Sequence, residues 1–164
     1  MIATFLVQYP WVTTAALLAV VVVGPFVGVW VASRPSLAWV LTGIVLLAVF
    51  AIALYPESRR PAPGCQVSWS FPTLGAVELI ANIILFVPPV LLAAIASRRP
   101  FVAFVAGSAL SVLIELLQLT APGIGRSCDT GDWLQNTIGA GIGAALAVLS
   151  LFVVRRRESR RAVR

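Results

Sequence analysis

Residues 126–143 read RSCDTGDWLQNTIGAGIG, and they bring charge, amide and glycine together at the edge of a long apolar segment. An ionisable side chain deep on a membrane helix costs about 2.5–3.5 kcal/mol, so such groups seldom accumulate there without a partner or a task. Here Arg126, Asp129 and Asp132 accumulate just before a glycine-rich stretch. We therefore expect this run to decide how the chain re-enters the membrane and where its function lies.

The rest of the chain has the composition of a membrane protein. Of its 164 residues, 60% are hydrophobic and 11% are charged, and the mean hydropathy is +0.99. A helix needs about 20 apolar residues to cross a bilayer core of about 30 Å. We predict an all-α bundle of five transmembrane helices, forming one domain over residues 1–154 with a basic tail over residues 155–164. The predicted spans are Trp11–Ala32, Leu37–Leu54, Leu79–Ala96, Phe101–Leu119 and Trp133–Val154.

The arginines predict how the bundle is oriented. All twelve basic residues are Arg, and only Arg59, Arg60 and Arg126 lie in the connections on one side of the predicted membrane. The other nine lie on the opposite side, which the positive-inside rule assigns to the cytoplasm. We expect the N-terminus outside and the C-terminus inside, in the inner (plasma) membrane of a bacterium. The net charge of +6 then describes topology and implies no nucleic-acid partner. Since no basic residue precedes the first span, we expect it to be retained, not cleaved as a signal peptide.

The two cysteines, Cys65 and Cys128, both fall in predicted outward-facing loops, on the oxidising side where disulfides persist. They are candidates for a disulfide that ties the second connection to the fourth. The alternative is two unrelated thiols. Because the chain has no His and its Cys residues are far apart in sequence, a zinc site is not expected, and no resident cofactor is predicted.

Polar side chains in the last three spans all fall near the same side of the membrane. Successive spans are antiparallel, so the start of the third, the end of the fourth and the start of the fifth lie together. Their polar groups should meet in the outer leaflet, within about two helical turns of the surface. These groups are Glu78 and Asn82; Ser108, Ser111, Glu115 and Gln118; and Asp132 and Asn136.

Several of these residues also have a structural interpretation. Asp132, with Gln135 three residues later, matches the N-cap and capping box of the fifth helix. Glu115 is either a structural ion-pair partner of Arg126 or a functional carboxylate. Gly139 and Gly143 form a Gly-x-x-x-Gly pair, which favours close helix packing.

The polar pattern resembles the VanZ-like family of bacterial membrane proteins over about residues 78–149. The resemblance is carried by Glu78-x-x-x-Asn82, by Ser111-x-x-x-Glu115-x-x-Gln118, and by the run from Arg126 to Gly143. It implies a small helical protein of the cell envelope. The namesake is associated with low-level resistance to the lipoglycopeptide teicoplanin, and the resemblance implies no settled reaction.

We expect the partner to be an envelope lipid or a lipid-linked substrate. The polar cluster could act on such a partner in two ways. In the first, Glu115, Asp129 and Asp132 act as general acids and bases or hold a divalent cation. In the second, the same cluster binds an amphipathic lipid or lipoglycopeptide without catalysis. A structural or interaction protein of the envelope is the further alternative. In either functional class the expected substrate-binding residues are Glu78, Asn82, Gln118, Arg126 and Asn136.

Overall fold

The computed structural model describes residues 8–56, 64–69, 73, 76–121, 123 and 125–162. Within these ranges five helices are long and apolar enough to cross a membrane, and no strand is present beyond one isolated bridge. The predicted fold class is therefore confirmed in the type and number of its elements. The helices are α1 Trp11–Val31, α2 Pro35–Ala53, α3 Val77–Ser97, α4 Pro100–Thr120 and α5 Thr130–Ala162.

Helix α3 lies at the centre of the bundle and contacts each of the other four helices. Its contact with α5 is the most extensive, whereas α1 and α2 barely touch each other. Side chains such as Phe86, Val87 and Leu91 are buried along α3. On the outer helices, apolar side chains such as Phe26 and Phe101 are exposed, as is expected of surfaces that face lipid.

Short connections force the helices to alternate in direction. Three residues separate α1 from α2 and two separate α3 from α4. Pro35 and Pro100 occupy the first helical positions after these connections, where a missing N–H costs nothing. We call this end of the bundle the basic end, because Arg34, Arg98, Arg99 and the described arginines of the tail lie there. The opposite end, where α3 and α5 begin and α4 ends, is the polar end.

Glycine allows α5 to pack directly against the backbone of α3. A Cβ atom at Gly139 would overlap the carbonyl group of Ile83, and one at Gly143 would lie 2.5 Å from the carbonyl oxygen of Val87. The face formed by Gly139 and Gly143 is therefore covered by α3. Below Asn82, α3 continues as one helix through Pro88 and Pro89, although each proline removes one N–H donor from its ladder.

Helix α5 begins earlier than the sequence predicted. It starts at Thr130, three residues before Trp133, and continues through the basic tail to Ala162. The early start places Asp132 within the first turn of the helix, where its side chain can reach a neighbouring helix.

Candidate functional site

The polar end is closed by two connections that are fastened to each other. A disulfide joins Cys65, which follows α2, to Cys128, which precedes α5, with their Cα atoms 4.6 Å apart. Beside it, the backbone N–H of Gln66 donates to the carbonyl of Cys128 at 2.9 Å, and that of Thr130 donates to the carbonyl of Gln66 at 3.0 Å. This pairing fixes the segment that carries Asp129 over the ends of α4 and α5.

Asp129 caps helix α5. Its Oδ1 accepts hydrogen bonds from the backbone N–H of Gly131 at 2.7 Å and from the hydroxyl of Ser68 at 2.6 Å. The alternative in which Asp132 caps α5 is therefore wrong. Both aspartates are good N-cap residues, but Ser68 and the disulfide hold the chain so that Asp129 stands at the helix start.

Glu115 points into the bundle. Its side chain is only 6% exposed, and its Oε2 accepts a hydrogen bond from the backbone N–H of Asp129 at 2.8 Å. The buried acid of α4 thus holds the loop that precedes α5. Asp129, Asp132 and Arg126 all lie within electrostatic reach of Glu115.

Two polar pairs join α5 to its neighbours below this layer. Asn82 of α3 donates from Nδ2 to Asp132 Oδ1 at 2.7 Å. Asn136, one turn further along α5, donates from Nδ2 to the Ser111 hydroxyl of α4 at 2.9 Å. The structure therefore brings Asn82, Asp132 and Asn136 into one region with Glu115 and Asp129.

The remaining predicted residues lie around the edge of this cluster. Glu78 is exposed at the start of α3, within electrostatic reach of Asp132. Gln118 donates from Nε2 to the carbonyl of Ala53 at 2.9 Å, and Arg126 donates from Nη1 to the carbonyl of Ile52 at 3.1 Å. Both therefore bind the last turn of α2, where the carbonyls of a helix lack the regular partner four residues later.

Sequence reasoning missed two contributors to the site. One is Ser68, whose hydroxyl donates to Asp129 and whose backbone N–H donates to the Thr130 hydroxyl at 3.0 Å. No sequence pattern singles out this serine. The disulfide candidate could have pointed to Ser68, because a bridge at Cys65 brings the following residues beside Asp129. The α2 carbonyls that receive Gln118 and Arg126 leave no signal, since every residue carries a backbone carbonyl.

The sequence model of the VanZ/LLP1 family matches residues 11–153. The chain belongs to the VanZ/LLP1 family. The match runs from the start of α1 nearly to the end of the apolar part of α5, so it contains the whole polar end. The resemblance is thereby confirmed and extends to α1 and α2, which showed no motif. With its five apolar helices, this VanZ-like chain is a multi-pass membrane protein. Neither a curated protein nor a solved structure shows significant similarity to it.

Two acceptor atoms stand out in the polar end of this VanZ-like protein. Asn136 and Gln118 are each 5% exposed, and within the described part of the chain neither Asn136 Oδ1 nor Gln118 Oε1 has a hydrogen-bond partner. Buried polar atoms are nearly always paired, because an unpaired one costs about 1–3 kcal/mol. Each of these two amide oxygens therefore lacks a donor, among the described residues, at a place where one is expected.

The carboxylates do not form a recognisable cation cage. Among residues 8–56, 64–69, 76–121 and 125–162, no three His, Cys, Asp or Glu side chains are grouped so as to hold a metal ion. Glu115, Asp129 and Asp132 each accept a hydrogen bond from a different donor. A divalent-cation role for these carboxylates stays a prediction.

Proposed function

We propose that this VanZ-like protein binds an amphipathic envelope lipid or lipoglycopeptide at its polar end, on the outer face of the bacterial cell membrane. The observation that carries the proposal is Glu115, a carboxylate buried on a membrane helix and turned towards Asp129 instead of lipid. Ionisable residues in such positions mark functional sites by default. The apolar helix faces below the cluster are suited to the chains of an amphiphile.

Hydrogen bonding at the cluster favours recognition over catalysis. Asp129 is committed to the cap of α5 and to Ser68, so we assign it a positioning role. Among the described residues, Glu115 and Asp132 each accept a hydrogen bond from one donor, which leaves other lone pairs on each carboxylate for a ligand. Side chains fixed in this way by surrounding hydrogen bonds suit a binding site that holds its ligand in one orientation.

Two independent features support the outward orientation. Among the described residues, the arginines are concentrated at the basic end, which the positive-inside rule places in the cytoplasm. The disulfide lies at the polar end, and disulfides persist on the oxidising side of a bacterial inner membrane. A site at the outer leaflet would meet a lipoglycopeptide before the drug reaches its target, which would link the site to teicoplanin resistance.

The test is complementation of a strain that lacks the gene, with the wild type, Glu115→Gln and Glu158→Gln compared. Gln at position 115 keeps the shape of the side chain and an acceptor for the Asp129 N–H. Glu158 is exposed on the basic tail and serves as the matched control. We expect Glu115→Gln to lower teicoplanin tolerance to the level of the deletion strain and Glu158→Gln to behave as wild type.

Two results would overturn this proposal. Full tolerance with Glu115→Gln would remove the carboxylate from any function. Mass spectrometry of envelope lipids provides the second readout, with no new lipid species expected. A lipid species that appears with wild type and disappears with Glu115→Gln would show turnover, and the enzyme alternative would replace binding.

A further inference from the structure

The described part of the polar end carries more negative than positive charge. Glu78, Glu115, Asp129 and Asp132 lie there, against Arg126 alone among the described residues. The acids of this group lie close enough to repel one another, and Arg126 offsets only part of that repulsion. Arg59 and Arg60 are predicted on the same side of the membrane as Arg126, but they lie outside the described residues. A bound anion would add to the repulsion, whereas a bound cation would relieve it.

The same region has more acceptors than donors. The buried stripe of α4 runs from Ser111 through Glu115 to Gln118. At its deeper end, Asn136 binds Ser111 through its Nδ2 and leaves its Oδ1 without a partner among the described residues. At its outer end, Gln118 likewise leaves Oε1 without one. A buried, unpaired amide oxygen on each side of a buried carboxylate calls for a ligand that donates hydrogen bonds.

From this juxtaposition we infer that the polar end selects an amphiphile whose headgroup carries a primary ammonium. The inference rests on the proposed binding function and names the class of headgroup. An ammonium group supplies three N–H donors and no acceptor, so it can pair with a carboxylate and an amide oxygen at once. Glu115, Asp132 and Asn136 are the residues that receive it. At these three side chains, a phosphate group without an attached amine would meet the carboxylate and amide oxygens without supplying a donor to them.

Native mass spectrometry of the purified full-length protein tests this inference with three phospholipids of identical acyl chains. Phosphatidylethanolamine carries a primary ammonium, phosphatidylcholine carries a quaternary ammonium without N–H donors, and phosphatidylglycerol carries no amine. We expect phosphatidylethanolamine to bind about tenfold more tightly than phosphatidylglycerol, because charge-assisted hydrogen bonds are stronger than neutral ones. We also expect it to bind more tightly than phosphatidylcholine.

Three variants test which residues produce the preference for phosphatidylethanolamine. Glu115→Gln and Asn136→Ala should each reduce the preference for phosphatidylethanolamine, while Glu158→Gln should leave it unchanged. The comparison among lipids needs only the wild-type protein, so it stands even if a variant fails to fold.

Equal binding of the three lipids, or a preference for phosphatidylglycerol, would overturn the inference and leave the binding function intact. Phosphatidylcholine binding as tightly as phosphatidylethanolamine would also overturn it, because charge would then suffice without donors. If Glu115→Gln weakened the binding of none of the three lipids, lipid binding at the polar end would be overturned, and the inference with it.

Discussion

Asp129 and Asp132 lie three residues apart and perform different tasks. Asp129 accepts two hydrogen bonds that fasten the start of α5, whereas Asp132 receives Asn82 from α3. What separates them is position relative to the helix start, because a carboxylate in the first turn can reach sideways while an N-cap carboxylate bonds to its own helix.

Substitutions of Asp129 distinguish a role in positioning helix α5 from a role in acid–base chemistry. Asn caps a helix about as well as Asp, so Asp129→Asn should retain both stability and teicoplanin tolerance. Asp129→Ala removes the cap and should lower the free energy of unfolding by about 1 kcal/mol. Unfolding in mixed detergent and SDS micelles measures the second effect. Lost tolerance in a stable, folded Asp129→Asn protein would contradict the positioning role and favour acid–base chemistry.

The bond between Asn82 and Asp132 should contribute measurably to the packing of α3 against α5. We expect a double-mutant cycle of Asn82→Ala and Asp132→Ala to give a coupling energy of about 0.6–1.7 kcal/mol, the range for hydrogen bonds between membrane helices. Thr42→Ala combined with Asp132→Ala is the control, because the Thr42 hydroxyl donates to Ala38 of its own helix. Equal coupling in the two cycles would contradict a specific bond.

At the scale of elements, the contact between α3 and α5 brings the polar residues together. Gly139→Ala would push a methyl group into the carbonyl group of Ile83, and overpacking of this kind costs about 1–3 kcal/mol. Gly141→Ala is the matched control on the same helix, since its Cβ would approach only the Phe104 ring, at 3.8 Å. We expect thermal melting in detergent to show a loss of stability for Gly139→Ala only. Equal melting temperatures would contradict the close packing.

The spans and the site differ in how far local sequence could predict them. Long apolar segments fixed the five helices, and their alternating direction was enough to place Glu115, Asn82 and Asn136 at one end. The start of α5 was missed because Asp129 and Asp132 are both acceptable caps, and the choice between them depends on Ser68, which is 61 residues from Asp129. The contacts of Gln118 and Arg126 were missed because their acceptors are backbone carbonyls.

At the scale of the whole molecule, orientation and the disulfide are linked. If the polar end faces outward, a green fluorescent protein fused after the C-terminus should fluoresce, and alkaline phosphatase fused there should be inactive. An active phosphatase fusion would reverse the orientation and place the site in the cytoplasm.

The Cys65–Cys128 bridge should shift the mobility of the protein on a gel when it is reduced. The double variant Cys65→Ser, Cys128→Ser should lose about 2–4 kcal/mol of stability.

The central claim is that the acids and amides of α3, α4 and α5 form one binding site for an envelope amphiphile. Native mass spectrometry of protein extracted gently from its own membrane tests it most directly. We predict a bound amphiphile on the wild type and on Glu158→Gln that is absent from Glu115→Gln. The same adducts on all three proteins, or no adduct on any, would contradict the claim.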